Sequence, residues 1–157
     1  MVTALFVGRF QPFHKGHLHA IKTILKDFNK VIIVIGSTNI EDEKNPFSTK
    51  ERIRMIKGSL EKFRNKIKVI TIPDVHNDIL WTKMIIDRIK FDIVVTGNGH
   101  VRRCFERFGV PVERPDFLEK RKYNGTRIRK LIYKGKGWEG LVPPNVRRII
   151  KADAQKG

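Results

Sequence analysis

Four apolar runs punctuate the chain: TALFVG at 3–8, KVIIVIG at 30–36, KIKVITI at 66–72 and FDIVVTG at 91–97. They are near-continuous rather than alternating and rich in β-branched residues. That pattern predicts strands covered on both faces, as in a parallel sheet. Between and after them, apolar positions recur with helical spacing at about 16–28, 48–63, 78–90 and 98–107. In the second of these Ser48 stands three residues before Glu51, the capping-box arrangement that starts a helix. YNGTRIR at 123–129 opens a further helix. PPNVRRIIK at 143–151 starts a last one, proline being accepted in the first turn. Strand and helix in regular alternation predict an α/β fold, a single-domain doubly wound parallel sheet over residues 1–157. No internal repeat, low-complexity tract or linker interrupts the pattern.

Composition narrows the setting. At 157 residues, 40% hydrophobic and 31% charged, the chain can bury a real core and has none of the signs of disorder. No apolar stretch approaches the roughly 18 residues of a membrane span. The start, MVTALFVGRF, lacks the basic segment and long apolar run of a signal peptide. A single cysteine, Cys104, forms no internal disulfide and fits a reducing cytoplasm. The net charge of +17 attracts polyanions, whether nucleic acid, anionic lipid or phosphorylated metabolites. It fits a solvated lysine-rich surface equally well. The densest basic run is EKRKYNGTRIRK at 119–130.

In doubly wound sheets ligands bind beyond the carboxyl ends of the strands, near a switch point. The polar segments fall there: GRFQPFHKGH after the first strand, GSTNIEDEKNPFS after the second, PDVHNDILW after the third and GNGHVRR after the fourth. GKGWEG at 135–140 matches the glycine spacing of a dinucleotide fingerprint. It follows a helical pattern instead of a strand, however, and reads as a helix terminus and turn. No P-loop sequence occurs. His14 and His17, with His19 close by, raise the question of a metal. Arg9, Lys15 and Lys22 beside them repel a cation, so no protein metal site is expected. Histidines simply packing at a turn are the plainer alternative. Anion recognition is the stronger one: Gly16 admits close backbone approach, the following helix aims its N–H groups at the ligand, and the imidazoles donate further bonds.

GRFQPFHKGH closely resembles the histidine-glycine-histidine signature of the nucleotidyltransferase superfamily, and in its longer form archaeal nicotinamide-mononucleotide (NMN) adenylyltransferases. NPFSTKERIRMI, IPDVHNDILW, VVTGN and YNGTRIR continue the resemblance in order over most of the chain. The resemblance implies a Rossmann-like nucleotidyltransferase fold. It also implies transfer of AMP from ATP to the 5′-phosphate of NMN, giving NAD and pyrophosphate. His14, His17, Arg9 and Arg129 are the implied catalytic set. Gly8, Phe10, Gln11, Gly16, Lys44, Gly97, Asn98, Asn124, Gly125 and Thr126 join them in binding ATP. Phe13, Asp74, Asn77, Asp78 and Trp81 are implied for NMN, with Trp81 stacking on the cationic ring. Ordinary core packing of Trp81 beside Leu80, Ile85 and Ile89 is the alternative. Trp138 carries no comparable argument.

Asn124 stands where relatives usually have serine, and Lys44 where arginine is common. Asparagine still caps a helix, whereas lysine loses the guanidinium fork. Mg²⁺ arriving with ATP, a homo-oligomer such as a hexamer, a cytoplasmic location and no membrane or nucleic-acid partner complete the expectation. Sister transferases using pantetheine phosphate, FMN or glycerol phosphate remain the nearest rivals. A basic nucleic-acid-binding module is the rival of a different class. An aminoacyl-tRNA synthetase has no room in this length.

Overall fold

The computed structural model describes residues 1–156. Five parallel strands form one sheet: β1 (Thr3–Gly8), β2 (Lys30–Ile35), β3 (Ile67–Thr71), β4 (Ile93–Val95) and β5 (Val112–Glu113). Their order is β3-β2-β1-β4-β5, so the winding reverses between β1 and β4. Leu5 pairs in register with Ile32 on one side and Val94 on the other.

Alternate residues of the central strands enter two separate cores, as the pleat requires. Ala4, Phe6, Val31, Ile33, Ile35 and Val95 pack under α1 (Lys15–Asp27), α2 (Thr49–Ser59), α5 (Gly125–Lys134) and α6 (Pro144–Lys156). Leu5, Ile32, Val34 and Val94 pack under α3 (Asp78–Arg88) and α4 (Gly99–Glu106). A strand with both faces buried has no polar side to show, which explains the unbroken apolar runs. Trp138 is buried in the first core.

Two elements differ from the expectation. The helix foreseen over 48–63 ends at Ser59, with Leu60 as its C-cap and a 3₁₀ turn over Glu61–Phe63. The strand β5 has no sequence signature: two residues are too few for a period, and pairing with β4 creates it. The capping box of Ser48 and Glu51 is present in both directions, at 2.9 and 3.1 Å. Gly135, with φ of 82°, is the left-handed C-cap of α5, so GKGWEG is a helix terminus.

Candidate active site

The loops beyond β1, β2 and β3 each carry one non-glycine residue in the left-handed region: Phe10, Ser37 and His76, with φ of 54°, 54° and 55°. Such backbone costs energy and persists only where surrounding structure holds it. Arg52 supplies much of that hold. It is fully buried, and its guanidinium donates to the carbonyls of Arg9 (2.8 Å), Gly36 (2.9 Å) and Ser37 (3.4 Å). No carboxylate faces it among these partners; backbone oxygens of two loops take that part. Burial, and then Arg9, lower its pKa.

Two clefts open on either side of the β1–β4 crevice and share Val7 and Asn98. The first, about 500 Å³, is lined by His14, Gly16, His17, Thr96, Gly97, Phe117, Lys120, Tyr123, Asn124 and Gly125, among others. No aspartate or glutamate lines it. The second, about 360 Å³, is lined by Gly8, Arg9, Ser37, Asp74, Asn77, Asp78, Trp81 and His100, among others.

The histidines are built into the start of α1. His14 is its N-cap, and its Nδ1 accepts from the amides of Gly16 (3.0 Å) and His17 (3.4 Å). His17 answers with its own Nδ1, accepting the His14 amide at 3.1 Å. The two rings stack with centroids 3.6 Å apart. Because each Nδ1 is an acceptor, each imidazole is the neutral tautomer that carries its proton on Nε2. Burial holds the His14 pKa down at about 3. Burial, and then His14, push that of His17 well below its ordinary value. The pair therefore offers two N–H donors without bringing positive charge. Gly16 serves this arrangement directly. A Cβ there would stand 2.8 to 2.9 Å from the His14 ring, so glycine makes room for the imidazole.

The neighbouring residues of the signature build the loop. Gln11 is buried, and its amide pairs both ways with the backbone of Phe47, at 2.9 and 3.1 Å. Phe10 and Phe13 are buried against His17. These three side chains face neither cleft, a departure from their expected contact with ligand. Gly8 and Arg9, expected at ATP with the histidines, line the second cleft. Lys44 is exposed in the loop after β2 and lines neither cleft.

On the far wall of the first cleft, Asn124 caps α5 by accepting the Arg127 amide at 2.8 Å. Thr126 and Arg129 line neither cleft; Arg129 donates to the carbonyl of Gln11 at 2.8 Å and to Thr126 Oγ1 at 3.4 Å, tying α5 to the histidine loop. Burial, and then Arg9, lower its pKa. Phe117 packs over Gly97, where any Cβ would collide with its ring, and Lys120 Nζ sits 3.9 Å from that ring's centroid. Phe117, Lys120, Tyr123 and Thr96 are cleft residues that sequence reasoning missed. Lys120 and Tyr123 fall in the basic run at 119–130, whereas no local signal marked Thr96 or Phe117.

In the second cleft Trp81 stands edge-on to Phe105, centroids 5.9 Å apart, and is partly exposed. It thus packs on the core and faces the cleft at once. Asp74 is tied to Asn39 by two hydrogen bonds, 2.9 and 3.1 Å, and accepts the His76 amide. Asn77 spends its side-chain oxygen capping α3, and Asp78 pairs with His100 at 3.2 Å.

A parallel sheet reversing between β1 and β4, with imidazole donors at the head of α1, defines a nucleotidyltransferase, and residues 5–131 match the family described as cytidylyltransferase-like. The chain is 40% identical to the nicotinamide-nucleotide adenylyltransferase of Methanolobus tindarius, over 96% of its length and 88% of the relative's. It is 39% identical to that of Caldivirga maquilingensis, over 100% and 90%. A bifunctional NMN adenylyltransferase/ADP ribose pyrophosphatase from Francisella tularensis superposes with a TM-score of 0.83 at 26% identity, over 98% of this chain. The chain spans about half the length of that protein, 50%. Thermotoga maritima TmcAL, at 11% identity and a TM-score of 0.73, shares the fold. The chain belongs to the nicotinamide-nucleotide adenylyltransferase family, enzymes of NAD synthesis by adenylyl transfer.

Proposed function

We propose that this chain transfers AMP from ATP to the 5′-phosphate of NMN in one step, with ATP in the histidine cleft and NMN in the tryptophan cleft. The observation that carries the assignment is the shared wall: Val7 and Asn98 border both clefts, so ligands in each would meet at the switch point. An oxygen of the NMN phosphate attacks the ATP α-phosphorus. The bond to the bridging oxygen breaks, and its electron pair leaves with pyrophosphate. The attacking group is itself an anion, so the protein supplies position and charge stabilisation in place of a nucleophile.

The Nε2–H groups of His14 and His17 donate to the triphosphate as charge builds on the leaving group. Asn124, Gly125 and Thr126 present the N-terminus of α5 to the same phosphates. Arg129 adds a fixed cation, and Arg9 approaches from the acceptor side. Phe117, stacked on Lys120, offers an aromatic face beside Gly97 and Asn98. In the second cleft Trp81 would receive the pyridinium ring, and Asp74, Asn77 and Asp78 the ribose and carboxamide.

A cleft lined without carboxylates does not suit a resident metal. Mg²⁺ would therefore enter with ATP, held by phosphate oxygens and water. The Francisella protein has also been crystallised with AMP and a manganese ion. A single domain carrying both clefts, in a cytoplasmic homo-oligomer, is part of the proposal, and light scattering on the purified protein tests the assembly. Incubation with ATP, Mg²⁺ and NMN is expected to yield NAD and pyrophosphate in equal amounts by chromatography. Turnover with pantetheine phosphate, FMN or glycerol phosphate, and none with NMN, would reassign the acceptor.

A further inference from the structure

Asp78 begins α3, while His100 and Cys104 lie four residues apart on α4, where one helical turn brings side chains to the same face. Their ligand atoms converge. The carboxylate of Asp78, an imidazole nitrogen of His100 and the thiol sulfur of Cys104 all lie within 4.8 Å of one another. His100 Nε2 is 3.2 Å from Asp78 Oδ1 and 3.9 Å from Cys104 Sγ. A tetrahedral zinc ion has bonds of about 2.0–2.1 Å to nitrogen, 2.0–2.2 Å to oxygen and 2.3 Å to sulfur. Those bonds separate neighbouring ligand atoms by roughly 3.3 to 3.6 Å. The two separations from His100 need shifts of only a few tenths of an ångström, and the gap between Asp78 and Cys104, within 4.8 Å, closes by about 1.2 Å at most.

The surroundings also fit. Asp74 and Asp78 line the cleft here against Arg9, while Arg102 and Arg103 stand beside Cys104 on α4, so the ligand atoms themselves and not the net local charge favour a cation. Cys104 is a buried free thiol while Asp78 and His100 are exposed, which leaves the sulfur at the base of the set and the mouth open. A set of three protein ligands of three donor types leaves a fourth position for water. Thiolate with imidazole selects borderline-soft metals over Mg²⁺ or Ca²⁺.

We propose that Asp78, His100 and Cys104 form a binding site for one zinc-class divalent cation at the rim of the second cleft. Binding displaces the thiol proton of Cys104 to solvent and forms a sulfur–metal bond, with no change of oxidation state. The proposal does not depend on which nucleotide acceptor occupies the cleft.

Cobalt(II) titration of the metal-stripped, reduced full-length protein tests it. One equivalent is expected to bind, with a thiolate-to-cobalt charge-transfer band in the near ultraviolet and the intense visible bands of a tetrahedral ion. C104S should abolish the charge-transfer band. Because Cys104 is buried, the exposed substitutions D78N and H100Q give a second reading, and each should weaken binding at least tenfold. Zinc should displace the cobalt and erase both sets of bands. An absent charge-transfer band, or affinity unchanged in both D78N and H100Q, would overturn the site.

Discussion

The two clefts on either side of the β1–β4 crevice are built from opposite materials. The histidine cleft is made of helix N-termini, neutral imidazole donors and lysine on an aromatic ring, with no acid on its walls. The tryptophan cleft holds two carboxylates, one arginine and an indole set against the core. The first can neutralise a polyanion whatever its organic part, since backbone N–H groups and imidazoles recognise phosphate alone. The second can discriminate, because a ring face and placed carboxylates respond to the shape and charge of an organic group. In the proposed mechanism, reaction chemistry and acceptor choice occupy separate walls of one crevice.

Removing a donor from the first cleft should break the comparison most severely. His17→Ala deletes one N–H that the proposed mechanism gives to the triphosphate and is expected to lower kcat/KM by about 10² to 10³. NMN binding, followed by fluorescence quenching of Trp81, should stay near its original strength. Full NAD synthesis by this variant would remove the histidines from catalysis. Arg129→Lys keeps the charge but loses the fork that holds Gln11 and that the proposed mechanism also turns to phosphate. A charge-assisted bond contributes roughly 1.5–3 kcal/mol, so a loss of about 10- to 100-fold in kcat/KM for ATP is expected in steady-state assays.

Trp81→Ala probes the other wall. Loss of the indole face should raise KM for NMN about tenfold, within the range of a partly desolvated cation–π contact. KM for ATP should move little, and Trp81→Phe should recover part of the loss. An equal rise for both substrates would mean that the indole merely supports the fold. Reciprocal behaviour of His17→Ala and Trp81→Ala is what the separate walls demand.

The last effect concerns pH and bears on folding instead of turnover. With the folded pKa of His14 near 3, the unfolded chain takes up a proton first as pH falls below about 6.5. Stability is therefore fully present above that value and is lost on acidification until the folded group itself titrates. For His14 alone the loss between pH 7 and 5 should be about 2 kcal/mol by urea unfolding. His14→Asn preserves a helix cap and removes the titration, so its stability should fall less steeply over the same interval. Parallel slopes would show that the imidazole is readily protonated in the folded protein.

Legibility differs between the walls as well. The N-cap role at His14, the glycine at 16 and the helix start at Asn124 are local, and the donor cleft follows from segments whose spacing is visible in the chain. Phe10, Gln11 and Phe13 show the limit. Their presence in the signature suggests ligand contact, yet Gln11 finds its partners on Phe47, 36 residues away, and both rings enter the core. Arg52 was unremarkable in the helical pattern of 48–63, and its hold on Arg9, Gly36 and Ser37 depends on two loops meeting above the sheet. His100 and Cys104 lie four apart on α4, a spacing that by itself marks no site. Asp78 joins them only because α3 and α4 pack on the same face.

By itself the sequence determined the alternation of strands and helices, because buried parallel strands require unbroken apolar runs and helix starts require capping side chains. It also determined the capping histidine and glycine pattern at the head of α1, which is written in consecutive residues. Tertiary structure decided the strand order, and with it the crevice between β1 and β4. It decided which signature side chains line a cleft and which enter the core, and the division of the crevice into two clefts. Each of these depends on contacts between residues far apart in the chain, and local periodicity carries no information about them.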